Sequence, residues 1–480
     1  MNLLIIPALP LIAAILCAVP ASWYLAAGVT ILSSCAALVL AVKVVMTVLA
    51  NGRMVTIPHW IAIDALGALI LLLVALVSTT ASIFSWGYMA AGNHKDSKLR
   101  GFYANLNLFI FSMLAVPLIQ EPNLTWIAVE LTTLFSVLLV GFESSKEALE
   151  AAWKYMLLTL MGAAIALLGF LILFWAANVG PGEPYTWSYL LTVAPHMHPA
   201  LLRTAFVLIL IGFGAKVGFV PLHTWLPDAH SQAPSPVCAL LSGVETTAVL
   251  YVILRLLPVF QAASGLHVLV WARTIGLISL GCAAMLLIQV KDYKRLFAFS
   301  TVEHMGIILT AAGIGASAGH LGTMLQIVSH AITKSFCFYA AGAALLITGT
   351  RQISNVRGLI HQDTFAGIAL LLGGLAIAGA PPFAVFLSEF SIIRAGIMAG
   401  HWVTVFFLAL FIIIAFFAVM FHINRLVFGR PELPAKKACA LPLTCKLSMI
   451  LAAIPVLVLG LYFPPQLYEL LKMAATALSH

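Results

Sequence analysis

The sequence predicts an all-α integral membrane protein of about 14 transmembrane helices, with two inverted five-helix repeats that each contain a proline-broken helix. The first observation is composition: 62% of the residues are hydrophobic and 8% are charged, and the mean hydropathy of +1.09 exceeds that of soluble globular domains. The second is that apolar stretches recur at the length that crosses a bilayer. The third is that two of these stretches are interrupted, one by Pro221 and one by Pro381 with Pro382.

Apolar windows of roughly 17 to 28 residues define the predicted spans. The first window starts at Leu3 and has neither a basic leader region nor a cleavage site before a polar domain, so we expect it to remain as a helix. The windows lie near residues 3–20, 23–49, 63–86, 103–120, 124–142, 154–177, 201–220, 235–257, 266–290, 296–318, 320–348, 363–385, 402–428 and 446–468.

Four parts follow from the positions of the two interrupted spans. We assign an N-terminal three-helix segment to residues 1–100, a first repeat to 101–257 and a second repeat to 258–428. Residues 429–480 form a C-terminal loop and the last helix. The repeats contain spans four to eight and nine to thirteen, and each includes one proline break.

Basic residues concentrate in the loops that leave odd-numbered spans. The positive-inside rule therefore puts these loops in the cytoplasm and both termini on the outer face of a bacterial or archaeal cytoplasmic (inner) membrane. The net charge of +8 does not indicate a nucleic-acid partner, because the basic residues are spread over helix ends and form no single patch. The odd-numbered exits hold Lys95, Lys98, Arg100, Lys146, Lys291, Lys294, Arg295, Arg351, Arg357, Arg430, Lys436, Lys437 and Lys446, whereas Arg53, Arg203 and Arg273 are the main basic residues of the other loops.

No motif for a cofactor or a nucleotide is present. The sequence contains no dinucleotide-binding glycine fingerprint, Walker A loop or haem-type cysteine motif. The seven cysteines stand mostly singly in apolar runs, which is typical of small core residues. We therefore expect no cofactor, metal site or catalytic residue in this chain, and any redox chemistry must belong to another subunit. The cysteines are Cys17, Cys35, Cys238, Cys282, Cys337, Cys439 and Cys445.

The first interrupted span carries a charge beside its break. Lys216 lies deep in the apolar run that starts at Leu208, and Pro221 follows five residues later, where the helix loses a backbone donor. An ionisable residue within hydrocarbon usually faces the bundle interior or a water-filled path, so a transport role is the first hypothesis. Irregular backbone at that depth also lines protein or a cavity. In the alternative, Lys216 lies near a helix end and extends its amine to the headgroups.

The second interrupted span repeats this arrangement. An apolar run from Leu370 reaches Pro381 and Pro382 and then continues with Glu389 inside it. Helix, proline, helix and one buried charge therefore occur twice, as expected for two repeats with a pathway between them.

Further acids and bases lie in the middle spans. Glu130 has no compensating charge in its own span, so it must be protonated or paired with a cation, for which Lys216 is the natural partner. His330 and Lys334 are four residues apart and share a helix face. So many buried titratable groups in a chain with few charges favour a relay over a purely structural role. The remaining ones are Glu245, Glu303 and His304.

Three motifs carry a resemblance to a known family. GAKVGFVPLHTWLPDAHSQAPSPVCALLSG, KDYKRLFAFSTVEHMGIIL and HAITKSFCFYAAGA resemble motifs of the antiporter-like, proton-translocating membrane subunits of respiratory NADH:quinone oxidoreductase, Mrp-type cation/proton antiporters and membrane-bound hydrogenases. Together these motifs extend over about residues 100 to 400. Within the family, the EHMG form and the 480-residue length are most similar to the component F branch of hydrogenase-4 and formate hydrogenlyase complexes.

The resemblance implies roles for individual residues. Glu130 would be the family's glutamate on the fifth helix, and Lys216 its broken-helix lysine. Lys294, His330 and Lys334 would form the central relay.

Two positions depart from the family's pattern. The terminal member of the path is often lysine, whereas here Glu389 stands there, as in some branches. The eighth-helix lysine of some members has no match, because Thr247 occupies its place and Glu245 lies two residues earlier. His223, Glu245, Glu303 and His304 are therefore secondary candidates.

Residues and resemblance together predict a proton-translocating subunit of a multi-subunit redox complex of the hydrogenase-4 or formate hydrogenlyase type. Desolvation lowers the pKa of an amine and raises that of a carboxyl group, so buried groups of both kinds can exchange protons near neutral pH. The resemblance implies, as partners, other antiporter-like membrane subunits and a peripheral hydrogenase or dehydrogenase arm that holds NiFe and Fe–S centres. Two alternatives remain: a cation (Na⁺)/proton antiporter module of an Mrp-type or NADH:quinone oxidoreductase complex, and a scaffold subunit that conducts no protons.

Overall fold

The computed structural model of the chain describes residues 2–19, 22–92, 94–180, 182–262, 267–430 and 440–479. Over these ranges the chain folds as a helical, multi-pass membrane protein. Lys436, Lys437, Cys439 and His480 of the predicted C-terminal part lie outside the described residues.

Helices occupy most of the described chain. They are α1 (Ile5–Ala18), α2 (Trp23–Asn51), α3 (Ala65–Ala90), α4 (Asp96–Ala115), α5 (Pro122–Val140), α6 (Lys146–Ala176), α7 (Trp187–Val193), α8 (Pro199–Val217), α9 (Trp225–Gln232), α10 (Ser235–Leu240), α11 (Thr246–Ala262), α12 (Val268–Ile288), α13 (Tyr293–Ile314), α14 (Ser317–Thr348), α15 (Leu359–Gln362), α16 (Thr364–Ile377), α17 (Ala384–Met398), α18 (Trp402–Phe428), α19 (Leu443–Leu461) and α20 (Pro465–Thr476).

Length and composition identify the membrane-crossing segments. Within the described ranges, twelve helical segments are long and apolar enough to cross a bilayer, with α8–α9 and α10–α11 each counted as one. Helices α1 and α16 are shorter apolar helices.

A short β-hairpin connects α2 to α3. β1 (Arg53–Ile57) pairs antiparallel with β2 (Ile61–Asp64), and the register shifts between Val55 and Ile57. The physical reason is local, because β-branched residues are frequent in both strands and Pro58 starts the turn between them. The described chain is otherwise helical, so the fold class is that of an all-α integral membrane protein with one short β-hairpin in a connection.

Two predicted spans end differently in the structure. The span predicted at 363–385 covers only α16 and the break, and the chain continues as α17 to Met398. The span predicted at 446–468 is two helices, since α19 ends at Leu461 and Pro465 begins α20. Proline at the first turn of a helix explains the second of these boundaries.

The most buried helices form the centre of the bundle. The segment α10–α11 is buried along its whole length, and α13 is nearly so, whereas α18 is buried over only 22% of its apolar window. Helix α14 packs against α13, α16 and α17 as well as against α3 and α10. The inner helices are thus α3, α10–α11, α13 and α14, and the outer ones face the lipid.

A salt bridge fastens the hairpin to the central helices. Arg255 of α11 makes two hydrogen bonds to Asp64, of 2.6 and 2.7 Å, and Asp64 also caps α3 through the Gly67 N–H. Burial alone would raise the pKa of the Asp64 carboxyl, but the Arg255 guanidinium and these hydrogen bonds hold it below its usual value. The N-terminal segment is therefore tied to the rest of the bundle at one end.

Candidate functional site

The first helix break separates α8 from α9. Gly218 follows Val217 with a left-handed backbone (φ 94°), which ends α8. Trp225, the first residue of α9, donates its indole N–H to the carbonyl oxygen of Ala215 at 2.8 Å. This bond satisfies one of the carbonyl groups that a helix end leaves free.

Two carboxyl groups flank the amine at this break. Lys216 is 2% exposed, and its Nζ lies 3.9 Å from Glu130 Oε1 and 3.9 Å from Glu245 Oε1. It donates hydrogen bonds to the carbonyl oxygen of Val129 and to Thr133 Oγ1, the latter at 2.5 Å. The structure thus places Lys216 beside Glu130, as predicted, and adds Glu245 to the same site.

The two carboxyl groups are held to different degrees. Glu245 Oε1 accepts hydrogen bonds from Thr132 (2.9 Å) and Tyr155 (3.1 Å), and Tyr155 is bonded in turn to Ser136 (2.7 Å). Glu130 Oε1 has no hydrogen-bond partner among the described residues. Glu245 is therefore fixed by hydroxyl groups, whereas Glu130 is constrained mainly by its charge.

Glu245 belongs to a widened helical turn. Leu241–Glu245 form a π-helical turn between α10 and α11, and such turns are frequent at functional sites. Ser242 of the same turn accepts a hydrogen bond from His330 Nε2 through its carbonyl oxygen (3.0 Å) and shares one with Thr301 through its hydroxyl (2.6 Å). One turn of helix thus contacts both the Lys216 cluster and His330.

His330 and Lys334 share one face of α14, as predicted, but they bond to different neighbours. Lys334 Nζ donates to the carbonyl oxygen of Phe297 (2.6 Å) and to Ser300 Oγ (2.5 Å), both on α13. Glu303, 4% exposed, lies further along α13 and within electrostatic reach of Lys334. The centre of the bundle therefore holds a base, an amine and a carboxyl group on two adjacent helices.

Lys294 lies apart from this centre. It is the second residue of α13, and its Nζ donates to the carbonyl oxygen of Ala233 at 2.5 Å. Nine residues separate it from Glu303, which is about 13 Å along a helix. Among the described residues no hydrogen bond joins Lys294 to His330 or Lys334. Lys294 lies two residues after Asp292, which caps the start of α13. It is therefore nearer the basic loops than the middle of the bundle.

Sequence reasoning missed His230 as a site residue. Its ring is fully buried, its Nδ1 bonds to the carbonyl oxygen of Leu226 (2.8 Å), and its Nε2 has no partner in the described part of the chain. It lies within electrostatic reach of both Lys294 and Lys334. The available signal was its position in the motif LPDAH, one turn after the break. His223, a secondary candidate, lies in the break itself and is 8% exposed.

The second helix break separates α16 from α17. Glu389 is 5% exposed, and its carboxylate lies against Gly379, which adopts a left-handed backbone (φ 75°). A side chain at Gly379 would clash with that carboxylate. Glu389 lines an apolar cavity of about 230 Å³ with Phe386 and Phe390 of α17 and Phe416 of α18, among others.

The environment of Glu389 differs from that of Lys216. In the described part of the chain, Glu389 has no cation within ion-pair distance, and Glu303 is the charged group within electrostatic reach. His304, a secondary candidate, donates Nε2–H to the carbonyl oxygen of Ile377 (3.1 Å), and its ring lies 5.3 Å from that of His330. Of the predicted residues, Glu130, Lys216 and Glu245 therefore lie at the first break, His330, Lys334, Glu303 and His304 on α13 and α14, and Glu389 at the second break.

The chemistry open to this arrangement is proton transfer between acids, bases and hydroxyl groups. Buried amines, carboxyl groups and imidazoles are the groups that accept and release protons in proteins. In the described ranges, no cluster of three or more His, Cys, Asp or Glu residues is arranged to hold a metal ion.

Comparison with known proteins places the chain in a family. Residues 122–415 match the family described as "NADH:quinone oxidoreductase/Mrp antiporter, TM", and residues 51–103 match "NADH-Ubiquinone oxidoreductase (complex I), chain 5 N-terminus".

Two relatives and one solved structure illustrate the similarity. The chain is 34% identical over 417 residues to the hydrogenase-4 component F homolog of Methylacidiphilum infernorum (isolate V4), which covers 85% of this chain and 86% of that protein. It is 31% identical over 446 residues to Na(+)/H(+) antiporter subunit A1 of Staphylococcus haemolyticus (strain JCSC1435), covering 87% of this chain but only 54% of that protein. A chain of the membrane-bound sulfane sulfur reductase (MBS), an archaeal respiratory membrane complex, has the same fold, with a TM-score of 0.89, 22% identity and coverage of 99% and 97% of the two chains. The chain is thus a member of the NADH:quinone oxidoreductase/Mrp antiporter family of antiporter-like membrane subunits.

Proposed function

We propose that the protein is a proton-translocating membrane subunit of a multi-subunit redox complex of the hydrogenase-4 or formate hydrogenlyase type. The observation that carries this proposal is the buried amine of Lys216 between two carboxyl groups at a helix break. A buried charge is costly in a membrane. Because two carboxyl groups lie beside one amine, the proton can be held on the amine or on either carboxyl group. The similarity to the hydrogenase-4 component F homolog supports the type of complex.

The first step is a change of partner at Lys216. With Glu130 ionised and close, Lys216 keeps its proton. When Glu130 moves away or takes up a proton, the ammonium group loses part of its stabilisation and becomes a proton donor. Glu130 is the less constrained of the two carboxylates, since its Oε1 has no hydrogen-bond partner among the described residues.

The next steps cross the centre of the bundle. The π-helical turn links the Lys216 cluster to His330, which has Nδ1 free of partners in the described residues. Protons then pass among His330, Lys334 and Glu303 and leave through Glu389 at the second break. Lys294 and His230 form a branch toward the basic loops. Water molecules complete the path where side chains do not touch.

Partner subunits would supply the energy for transport. A conformational or redox event in a peripheral hydrogenase or dehydrogenase arm, whose NiFe and Fe–S centres carry out the electron chemistry, would move the charges at the first break. Other antiporter-like membrane subunits would lie beside this one in the bilayer. The apolar, lipid-facing surface of outer helices such as α18 is compatible with both lipid and such neighbours.

The proposed topology has 14 spans, with α1 and the α16–α17 pair added to those long enough to cross on their own. Both termini then lie on the outer face of the cytoplasmic membrane, because the basic loops face the cytoplasm. Two five-helix units, within residues 101–257 and 258–428, would be inverted repeats. An odd number of crossings reverses the second unit, and in each unit the fourth element is the broken one.

A second candidate is a cation (Na⁺)/proton antiporter module. The similarity to Na(+)/H(+) antiporter subunit A1 favours it, and the carboxylates of Glu130 and Glu245 are groups that also bind Na⁺. The two functions differ in what limits proton movement: an antiporter needs the counter-ion, whereas a redox-driven pump needs turnover of its partner.

The test uses the whole complex reconstituted in vesicles. Proton uptake is followed with a pH-sensitive dye while the partner reaction runs, with and without Na⁺. We expect uptake that depends on turnover and not on Na⁺. Uptake driven by a Na⁺ gradient without turnover would favour the antiporter, and turnover without any uptake in sealed vesicles would leave a scaffold role.

A further inference from the structure

We propose that Gln326 is the positioning residue of the second helix break and that, through His304 and Ser388, it sets the position of the Glu389 carboxyl group. The inference rests on the proposed function, in which Glu389 is the terminal proton carrier. Gln326 is neutral and is not one of the acids and bases that are proposed to carry protons.

The first contact joins His304 of α13 to the last residue of α16. His304 Nε2 lies 3.1 Å from the carbonyl oxygen of Ile377, the last residue of α16. A carbonyl oxygen only accepts hydrogen bonds, so Nε2 carries the proton and Nδ1 presents its lone pair. His304 thereby binds one of the carbonyl groups that the helix end leaves free.

The second contact fixes the orientation of the Gln326 amide. Gln326 Nε2 lies 3.2 Å from His304 Nδ1 and donates to that lone pair. The amide oxygen then faces the other way and accepts a hydrogen bond from the hydroxyl group of Ser388 on α17. Each group in this series has the partner that its chemistry requires.

The three side chains form a bracket across the break. Ile377 is the last residue before it, and Ser388 lies in the second turn after it, while His304 and Gln326 are on α13 and α14. All three side chains are fully buried. A buried amide that loses its partners costs free energy, so the bracket has one favoured arrangement.

Glu389 lies next to this bracket in the chain. It is the residue after Ser388, and its carboxylate lies against Gly379 inside the break. A shift of α17 relative to α16 therefore moves the carboxyl group out of its place beside Gly379. The bracket opposes that shift.

Helix α14 connects the bracket with the central groups. Gln326, His330 and Lys334 are spaced by four residues and lie along one face of α14. Movement of α14 that accompanies proton transfer at His330 or Lys334 would reach Glu389 through Gln326. A positioning role thus couples the centre of the path to its end.

The test compares three variants in the assembled complex. Gln326→Leu removes both hydrogen bonds at similar volume, and we expect proton uptake to fall about tenfold or more, because a small misplacement of a reacting group is costly. Gln326→His should restore uptake to within about threefold, since an imidazole can donate at one nitrogen and accept at the other. Thr323→Val is the matched control: this residue lies one turn earlier on α14, its hydroxyl donates to the carbonyl oxygen of Gly319 in its own helix (2.9 Å), and uptake should not change.

Two readouts separate positioning from general damage. The infrared band of the Glu389 carboxyl group, identified by its loss in Glu389→Gln, should shift in Gln326→Leu and return in Gln326→His. Combining Gln326→Leu with Glu389→Gln should cause no further loss beyond Glu389→Gln alone. Ser388→Ala offers a milder variant should Gln326→Leu fail to assemble, and it should lower uptake and shift the same band.

Two kinds of result would contradict these expectations, one for Gln326 and one for Glu389. Full uptake with an unshifted Glu389 band in Gln326→Leu, or in Ser388→Ala where that variant is used, would overturn the inference, and so would a Gln326→His variant as defective as Gln326→Leu. Full uptake in Glu389→Gln would instead overturn the proposed exit step, which the inference presupposes.

Discussion

The two helix breaks share a backbone pattern but differ in what surrounds their charge. At the first, the amine of Lys216 lies 3.9 Å from each of two carboxyl groups and donates to a hydroxyl and a carbonyl oxygen. At the second, Glu389 lines an apolar cavity, and in the described ranges no cation lies within ion-pair distance of it.

This difference separates two tasks. The first break can keep a charge inside the membrane, because opposite charges and hydrogen bonds compensate for lost hydration. Among the described residues, no opposite charge or hydrogen bond compensates Glu389 at the second break, so an ionised carboxylate there is costly unless a cation or water approaches. We infer that the first break stores a proton on its amine and that the second passes a proton on only when its surroundings change.

A large effect is expected at the second break, where Glu389 is the proposed proton carrier. Glu389→Gln should lower proton uptake by about 10²-fold or more, because a neutral amide cannot cycle a proton. The complex should assemble normally, since the amide keeps the shape of the carboxyl group. The measurement is uptake in vesicles, normalised to the amount of assembled complex; retention of full uptake would remove Glu389 from the path.

An intermediate effect is expected from the backbone beside Glu389. Gly379→Ala places a side chain where the carboxylate lies and in a left-handed conformation that costs L-residues about 1–2 kcal/mol. We expect about a tenfold loss of uptake, the equivalent of 1.4 kcal/mol. Gly400→Ala, at a left-handed glycine with no neighbouring atom near the added Cβ, controls for backbone strain alone. Equal uptake in the two variants would show that the space beside Glu389 is not needed.

The smallest effects are expected from single changes of the two carboxyl groups at the first break. Glu130→Gln or Glu245→Gln leaves the other carboxylate beside Lys216, so each variant should lower uptake only about threefold. Loss of a group that itself transfers the proton would lower uptake much more. The double variant should lose far more than the product of the two, because the amine then has no anionic partner. Measured uptake in all three decides whether the carboxylates substitute for one another; a single variant as defective as the double would show that they do not.

Charges in apolar runs made much of the site visible in the sequence. Lys216, Glu130 and Glu389 stand out because a charge at membrane depth is costly and needs a reason. Prolines marked both breaks, since they remove a backbone donor wherever they fall. Composition predicted the membrane class and three motifs predicted the family, and both predictions are confirmed.

Other parts of the site had no comparable signal. Gln326 and Ser388 are neutral, and burying them once they are hydrogen-bonded costs little, so composition does not distinguish them from packing residues. Glu245 comes beside Lys216 only through the packing of α5, α8 and the π-helical turn, and Lys294 lies near a helix end because of its position along α13. These placements depend on how distant helices meet, which residue spacing alone does not determine.

Lys216→Arg tests whether the buried amine at the first break carries a proton. Arginine keeps the positive charge between Glu130 and Glu245 but cannot release its proton at accessible pH. If Lys216 is a proton carrier, the complex assembles at near normal levels, partner turnover becomes uncoupled or slow, and proton uptake into vesicles falls by about 10²-fold or more. If Lys216 serves only as a structural ion pair, the arginine variant takes up protons at the wild-type rate, and that result would exclude Lys216 as a proton carrier.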